Sequence, residues 1–191
     1  FRLFNYSLSS AQRTWDYNQG KPVGHWKFDE CQGSTAGDSS GNGNSGTITI
    51  GASGTQTSVG TCSTSGTARY NGVTGKYNYS LNFDGTDDYV SVADSSSLDI
   101  TGSLTMSVWL KPSDGQPAAA KSILTKWNTS NLSYNLALLT DGKIRVYISS
   151  DGTTSSTYKT TDAAVFSDGA STSWKHVAAV YSNTGTIKIY V

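Results

Sequence analysis

Along most of its length this chain alternates apolar and polar residues with a period of two, the pattern of half-buried strands. Such runs predict strands over 24–28, 79–83, 89–92, 104–111, 121–126, 134–139, 143–149, 174–181 and 186–191. Asp141-Gly142 separates two alternating runs and is a strong hairpin signal, and Asp151-Gly152 and Asn183-Thr184-Gly185 are similar. Phe1 to Asn5 also alternate as a strand. Ser9 or Ser10 then offers an N-cap to a short helix running from Ala11 to Tyr17, which Gly20 and Pro22 close. Residues 44–76 carry Gly51, Gly54, Gly60, Gly66, Gly72 and Gly75 in a Ser/Thr background and read as a long decorated loop. Short strands with regular turns between them indicate an all-β sandwich.

Composition changes this picture little. Five Trp, eleven Tyr and five Phe argue for a folded domain even though only 15% of residues are charged. Fourteen basic and fourteen acidic residues cancel, so no global field recruits nucleic acid or an anionic membrane. No apolar run approaches the roughly 18–20 residues of a membrane-spanning helix. Cys31 and Cys62 form no CxxC pair and have no histidine at ligand spacing, which argues against zinc or thiol redox chemistry. A disulfide between them would stabilise the fold by on the order of 3–4 kcal/mol and imply an oxidising, extracytoplasmic setting. Two free buried thiols are the alternative.

Three motifs join an apolar strand fragment to a turn rich in Asp, Asn and Gly. They are Trp26-Lys27-Phe28-Asp29-Glu30, Asp38-Ser39-Ser40-Gly41-Asn42-Gly43-Asn44 and Phe83-Asp84-Gly85-Thr86-Asp87-Asp88-Tyr89-Val90. In this order they resemble the laminin-G-like domains of bacterial surface proteins, of the concanavalin A-like lectin/glucanase type. The resemblance implies a jelly-roll β-sandwich of two curved antiparallel sheets with one short N-terminal helix. Arg2-Leu3-Phe4-Asn5-Tyr6-Ser7-Leu8-Ser9 is similar to the closing strand of such a domain. Residues 1–22 therefore read as the closing strand and helix of a preceding repeat, and 23–191 as one domain truncated at its C-terminus. Phe1 to Leu8 would fill the place of the missing strand, in this chain or a neighbour.

The same turns carry the candidate chemistry. Calcium takes six to eight oxygens from carboxylates, amides and carbonyls. Asp38, Asn42 and Asn44 offer such oxygens on one loop, and Glu30, Asp87 and Asp88, with Asp29 and Asp84, could add charge from adjoining corners. The alternative is that these side chains only cap turns. Similar domains often hold a structural calcium. Glycoside hydrolysis needs two flanking carboxylates, and Glu30 is the single glutamate. Asp87 and Asp88, read as strand residues, would point to opposite faces. His25 and His176 read as half-buried strand residues with no GxSxG elbow nearby. An enzyme is not expected.

Sugar sites stack pyranose faces on aromatic rings. Trp26, Trp109 and Trp174 read as core, with Trp109 on a strand buried on both faces. Trp127 and Tyr134, beside Asn128 and Asn131, are the better glycan candidates, with Tyr147 and Tyr158 as neighbours. Sequons at Asn5, Asn78, Asn128 and Asn131 arise readily by chance in a Ser/Thr-rich chain. The expected function is a non-catalytic extracellular or cell-surface module that binds a glycan or a surface protein, with no nucleic acid and no membrane insertion, beside neighbouring repeats. A purely structural spacer repeat, and an accessory carbohydrate-binding module of a hydrolase, are the alternatives.

Overall fold

The computed structural model describes residues 7, 21–127, 131–149, 151–153, 157–171 and 173–191. It divides into two compact units, residues 1–99 and 100–191. The expected N-terminal strand and helix, the place of Phe1 to Leu8, and Asn128 lie outside the described residues.

The second unit is a sandwich of two antiparallel sheets. One holds β4 (Leu104–Leu110), β9 (Lys175–Tyr181) and β10 (Ile187–Tyr190), in the order β10-β9-β4. The other runs β5 (Lys121–Trp127), β6 (Leu132–Leu138), β7 (Ile144–Ile148) and β8 (Thr157–Thr160) in sequence order. Period-two alternation turns one face of each sheet inward. Leu136, Ile144, Val146 and Val177 are buried there with Met106, Tyr134 and Ala179, and Phe166 closes the set from a loop. Asp141-Gly142 makes the β6–β7 hairpin as expected. Gly142 has φ +74°, and a side chain on it would strike the Phe166 carbonyl oxygen at 2.0 Å.

The first unit is built on a three-stranded sheet, β1 (Thr35–Ala36), β2 (Gly46–Thr49) and β3 (Tyr89–Val92). Its core is small: Ala36, Ile48, Ala68 and Leu81, with Trp26, Phe28, Ile50, Val59 and Val90 packed against them. Cys31 and Cys62 form a disulfide, with Cα atoms 4.9 Å apart.

Several expectations need correction. No strand forms over 24–28, where the only pairing is an isolated bridge between Trp26 and Asp38. Phe28 and Cys31 adopt positive φ (62° and 58°), which breaks an extended run. Nor is 79–83 a strand. Asn78 has φ +52°, and the Ser80 and Asn82 N–H groups donate to Gly72 and Ala68 carbonyls instead of a sheet. The stretch 44–76 is not all loop. It contains β2 and a one-turn helix, α1 (Ala68–Asn71), capped by the Thr67 hydroxyl, which accepts from Tyr70 N–H. Trp109 is not core. It lies on the outer side of β4 against His176, ring centroids 5.1 Å apart, and Ser107 Oγ is 2.8 Å from His176 Nε2. His176 and His25 are both exposed, and His25 belongs to no strand. Trp26 does face the small core, and its indole N–H donates to the Asn44 carbonyl at 2.7 Å.

Candidate functional site

The outer face of the four-stranded sheet collects aromatic rings. Register sets Asn135 of β6 opposite Tyr147 of β7, and Tyr147 opposite Tyr158 of β8. In the next row stand Ala137, Arg145 and Thr160. Because Val146 and Ile148 point into the core, Arg145 and Tyr147 must point away from it. On β5, Thr125 stands opposite Asn135 on this face, and Trp127, two residues further on, shares its phase. The Trp127 ring lies 5.8 Å from that of Tyr147 between centroids, and Tyr147 lies 5.8 Å from Tyr158 in turn. The three rings make a continuous tilted run across the sheet, with Tyr158 63% exposed.

Polar groups accompany the rings. The Arg145 guanidinium carbon lies 5.6 Å from the Tyr147 ring centre and 5.2 Å from that of Tyr158. Its Nε donates to Thr160 Oγ1 at 2.8 Å and its Nη1 to the Tyr147 hydroxyl at 2.9 Å. Asn135 Oδ1, in the row of Tyr147 and Tyr158, is buried with no hydrogen-bond partner among the described residues. An orphaned acceptor of that kind costs about 1–3 kcal/mol until a donor meets it.

Of the expected ligand-binding residues, Trp127 and Tyr147 are brought together here and Asn131 lies nearby in sequence, just before β6. Tyr134 is a correction: it is 6% exposed and packs in the core, because Tyr134, Leu136 and Leu138 share the inward phase of β6. Arg145 is the residue that sequence reasoning missed. Its signal was present, two positions before Tyr147 on an alternating strand.

The expected cation ligands separate into two groups. The Asp38 carboxylate accepts from His25 N, Ser40 N, Ser40 Oγ and Asn44 N. Asn42 and Asn44 donate their amide N–H groups to the Val23 carbonyl, and Asn44 Oδ1 accepts from Ser97 Oγ. Glu30 accepts from Gly37 N–H at 2.7 Å and Arg69 Nη1 at 3.0 Å. Here the Asp38 and Glu30 carboxylates are engaged by turn N–H groups, the Ser40 hydroxyl and a buried arginine. Asp84, Asp87 and Asp88 differ. They sit in the bend before β3, not in a strand, and each offers a carboxylate oxygen within 4.8 Å of the others. Backbone N–H groups of Gly51, Ser53, Thr55 and Gln56 orient these carboxylates. Asp87 Oδ1 is buried with no hydrogen-bond partner among the described residues. Asp88 Oδ2 also accepts from Asp84 N–H and Asp84 Oδ1 from Thr86 N–H, and these three gathered carboxylates are the candidate oxygen ligands for a hard cation.

The Glu30 carboxyl sits below its ordinary value. Partial burial pushes it up, but the N–H groups of Gly37 and Glu30 itself, and the hydrogen bond and charge of Arg69, outweigh that. Asp38 is lowered likewise, its burial outweighed by the Ser40 hydroxyl and the N–H groups of Ser40, His25 and Asn44. The native state therefore holds its protons less tightly than the unfolded chain. Stability from these groups is fully present above the unfolded carboxylate range and drains as pH falls through the lower native values. Urea midpoints measured between about pH 5 and pH 3 should fall steeply for the wild type and less steeply for Glu30→Gln.

The family described as the concanavalin A-like lectin/glucanases superfamily, in its laminin-G form, matches residues 84–191. The chain belongs to it. The jelly-roll sandwich expected of this laminin-G-like domain agrees with the two antiparallel sheets around one core in residues 100–191. The domain is also similar to a crystal structure of an S-layer domain-containing protein (residues 221–444) from Clostridium thermocellum. Identity is 22% and the TM-score 0.51, covering 87% of this chain and 67% of that one. At that identity the likeness is one of fold. No curated protein matches the chain. In this laminin-G-like domain the aromatic run stands on β5, β7 and β8, inside the matched span, and the aspartate trio opens that span.

Proposed function

We propose that this laminin-G-like domain is a non-catalytic, extracellular carbohydrate-binding and adhesion module of a surface protein. The observation that carries the reading is the run of Trp127, Tyr147 and Tyr158 across one sheet face. Aromatic rings with polar groups between them suit the apolar faces and hydroxyl edges of a sugar chain. Tilted rings 5.8 Å apart would each meet a successive part of it. The disulfide supports an oxidising compartment. The single glutamate is tied to Arg69 and Gly37, which supports binding without bond cleavage. A glycan array probed with the intact chain and with Trp127→Ala tests the reading. It requires a saccharide signal that the variant loses. Silence of the folded wild type across the array would leave a structural spacer.

Asp84, Asp87 and Asp88 form the cation site of this proposal, with calcium as the occupant and a structural role in fixing the turn before β3. Calcium sites of extracellular modules bind with dissociation constants of about 10⁻⁴–10⁻³ M, so about 10 mM calcium should add roughly 1.4–2.7 kcal/mol. Thermal unfolding should shift upward with calcium, return with EDTA, and lose its calcium response in Asp87→Asn. An unfolding midpoint indifferent to both additives would remove the cation from the account.

A further inference from the structure

We infer that the platform takes an anionic saccharide, one that presents a carboxylate or sulfate to Arg145; this rests on the carbohydrate-binding reading above. The two described arginines are handled in opposite ways. Arg69 is 1% exposed and pairs with Glu30 at 3.0 Å. Arg145 is half-buried between two rings, and no carboxylate pairs with it among the described residues. A guanidinium cannot shed its proton to escape that situation, since it stays charged at any physiological pH.

What holds Arg145 is neutral. The Tyr147 and Tyr158 rings attract the cation through their faces, and Thr160 Oγ1 and the Tyr147 hydroxyl accept from Nε and Nη1. These contacts fix the fork in place without cancelling its charge. The residues in register with Arg145 and Tyr147 across the sheet are Ser122, Ala137, Thr160, Thr125, Asn135 and Tyr158, and none is charged. A sugar stacked on the rings therefore meets one positive charge and no negative one on these rows. A carboxylate or sulfate there gains a charge-assisted, fork-to-oxyanion contact that a neutral hydroxyl cannot match.

The test uses the intact chain on immobilised uronate oligosaccharides, their methyl esters, sulfated oligosaccharides and neutral oligosaccharides. The expected result is at least about tenfold tighter binding to the uronate than to its methyl ester, or to the sulfated over the neutral sugar. That preference should weaken with salt and vanish in Arg145→Gln. The uronate and sulfate arms identify which anion is preferred. Because the acid–ester comparison is made on wild-type protein, it stands even if Arg145→Gln folds poorly. Equal binding of acid and ester, together with equal binding of sulfated and neutral sugars, overturns the anionic preference and leaves a neutral-glycan platform. No binding to any sugar overturns both this inference and the carbohydrate-binding reading.

Discussion

Arg69→Met should cost the first unit about 3–5 kcal/mol of stability, the range for breaking a buried ion pair from one side. The Arg69 side chain is 1% exposed and serves three partners from α1. Nη1 donates to Glu30 Oε2 at 3.0 Å, Nε to the Gly33 carbonyl at 3.1 Å and Nη2 to the Thr35 carbonyl at 2.9 Å. It thus ties the helix to the loop bearing Cys31 and to β1. Methionine fills much of the volume but leaves two carbonyls without donors and a carboxylate without its counter-charge. Glu30 keeps 28% exposure, so water recovers part of its share. For that reason Arg69→Met/Glu30→Gln should be less destabilised than Arg69→Met alone. Urea unfolding followed by tryptophan fluorescence measures both. A loss below about 1 kcal/mol would mean that the arginine is held by packing alone.

Trp127→Ala should weaken glycan binding by about 30-fold or more, the loss of roughly 2 kcal/mol usual for a truncated tryptophan anchor. The ring stands at one end of the run, with Tyr147 at 5.8 Å, in the same phase of β5 as Thr125. Removing it deletes stacking surface and also uncovers one side of Tyr147. Since Trp127 is half-buried, a loss of binding alone does not distinguish a damaged fold from a missing contact. Tyr158→Ala makes the distinction. At 63% exposure its removal should leave urea stability nearly unchanged while binding still falls, less than for Trp127. Wild-type affinity in both folded variants would detach the rings from recognition.

How much of this was legible in the sequence depends on how strongly each segment alternates. β3 runs over the residues that its Tyr-Val-Ser-Val pattern predicts, and β4, β5, β9 and β10 depart by a residue or so at their ends. Segments without alternation were misread. Gly-Thr-Ile-Thr of β2 holds a single large apolar side chain, Ile48, and disappears in its Ser/Thr/Gly surroundings. Tyr-Lys in β8 is legible as a strand only through its pairing with β7. Trp26-Lys27-Phe28 alternates well, yet Phe28 turns into the left-handed region, a tertiary outcome that no local pattern announces.

The site shows the same division. Trp127 and Tyr134 both stand out as aromatics at strand ends beside polar loop residues, with Tyr147 a neighbour on another strand, but the phase of Tyr134 with Leu136 and Leu138 points it inward. Arg69 gave no local sign, since its partners lie 34–39 residues away in the chain. Asp87 and Asp88 were read with strand geometry, but the bend before β3 draws both to one place with Asp84.

The most direct test of the aromatic platform is a two-dimensional NMR titration of the intact, labelled chain with a saccharide that it binds. The account predicts shifts centred on the Trp127 indole, Tyr147, Tyr158 and the Arg145 guanidinium, with the β9 and β10 outer residues unmoved. Shifts centred on Val180, Lys188 and Tyr190, with Trp127 and Tyr147 silent, would contradict it.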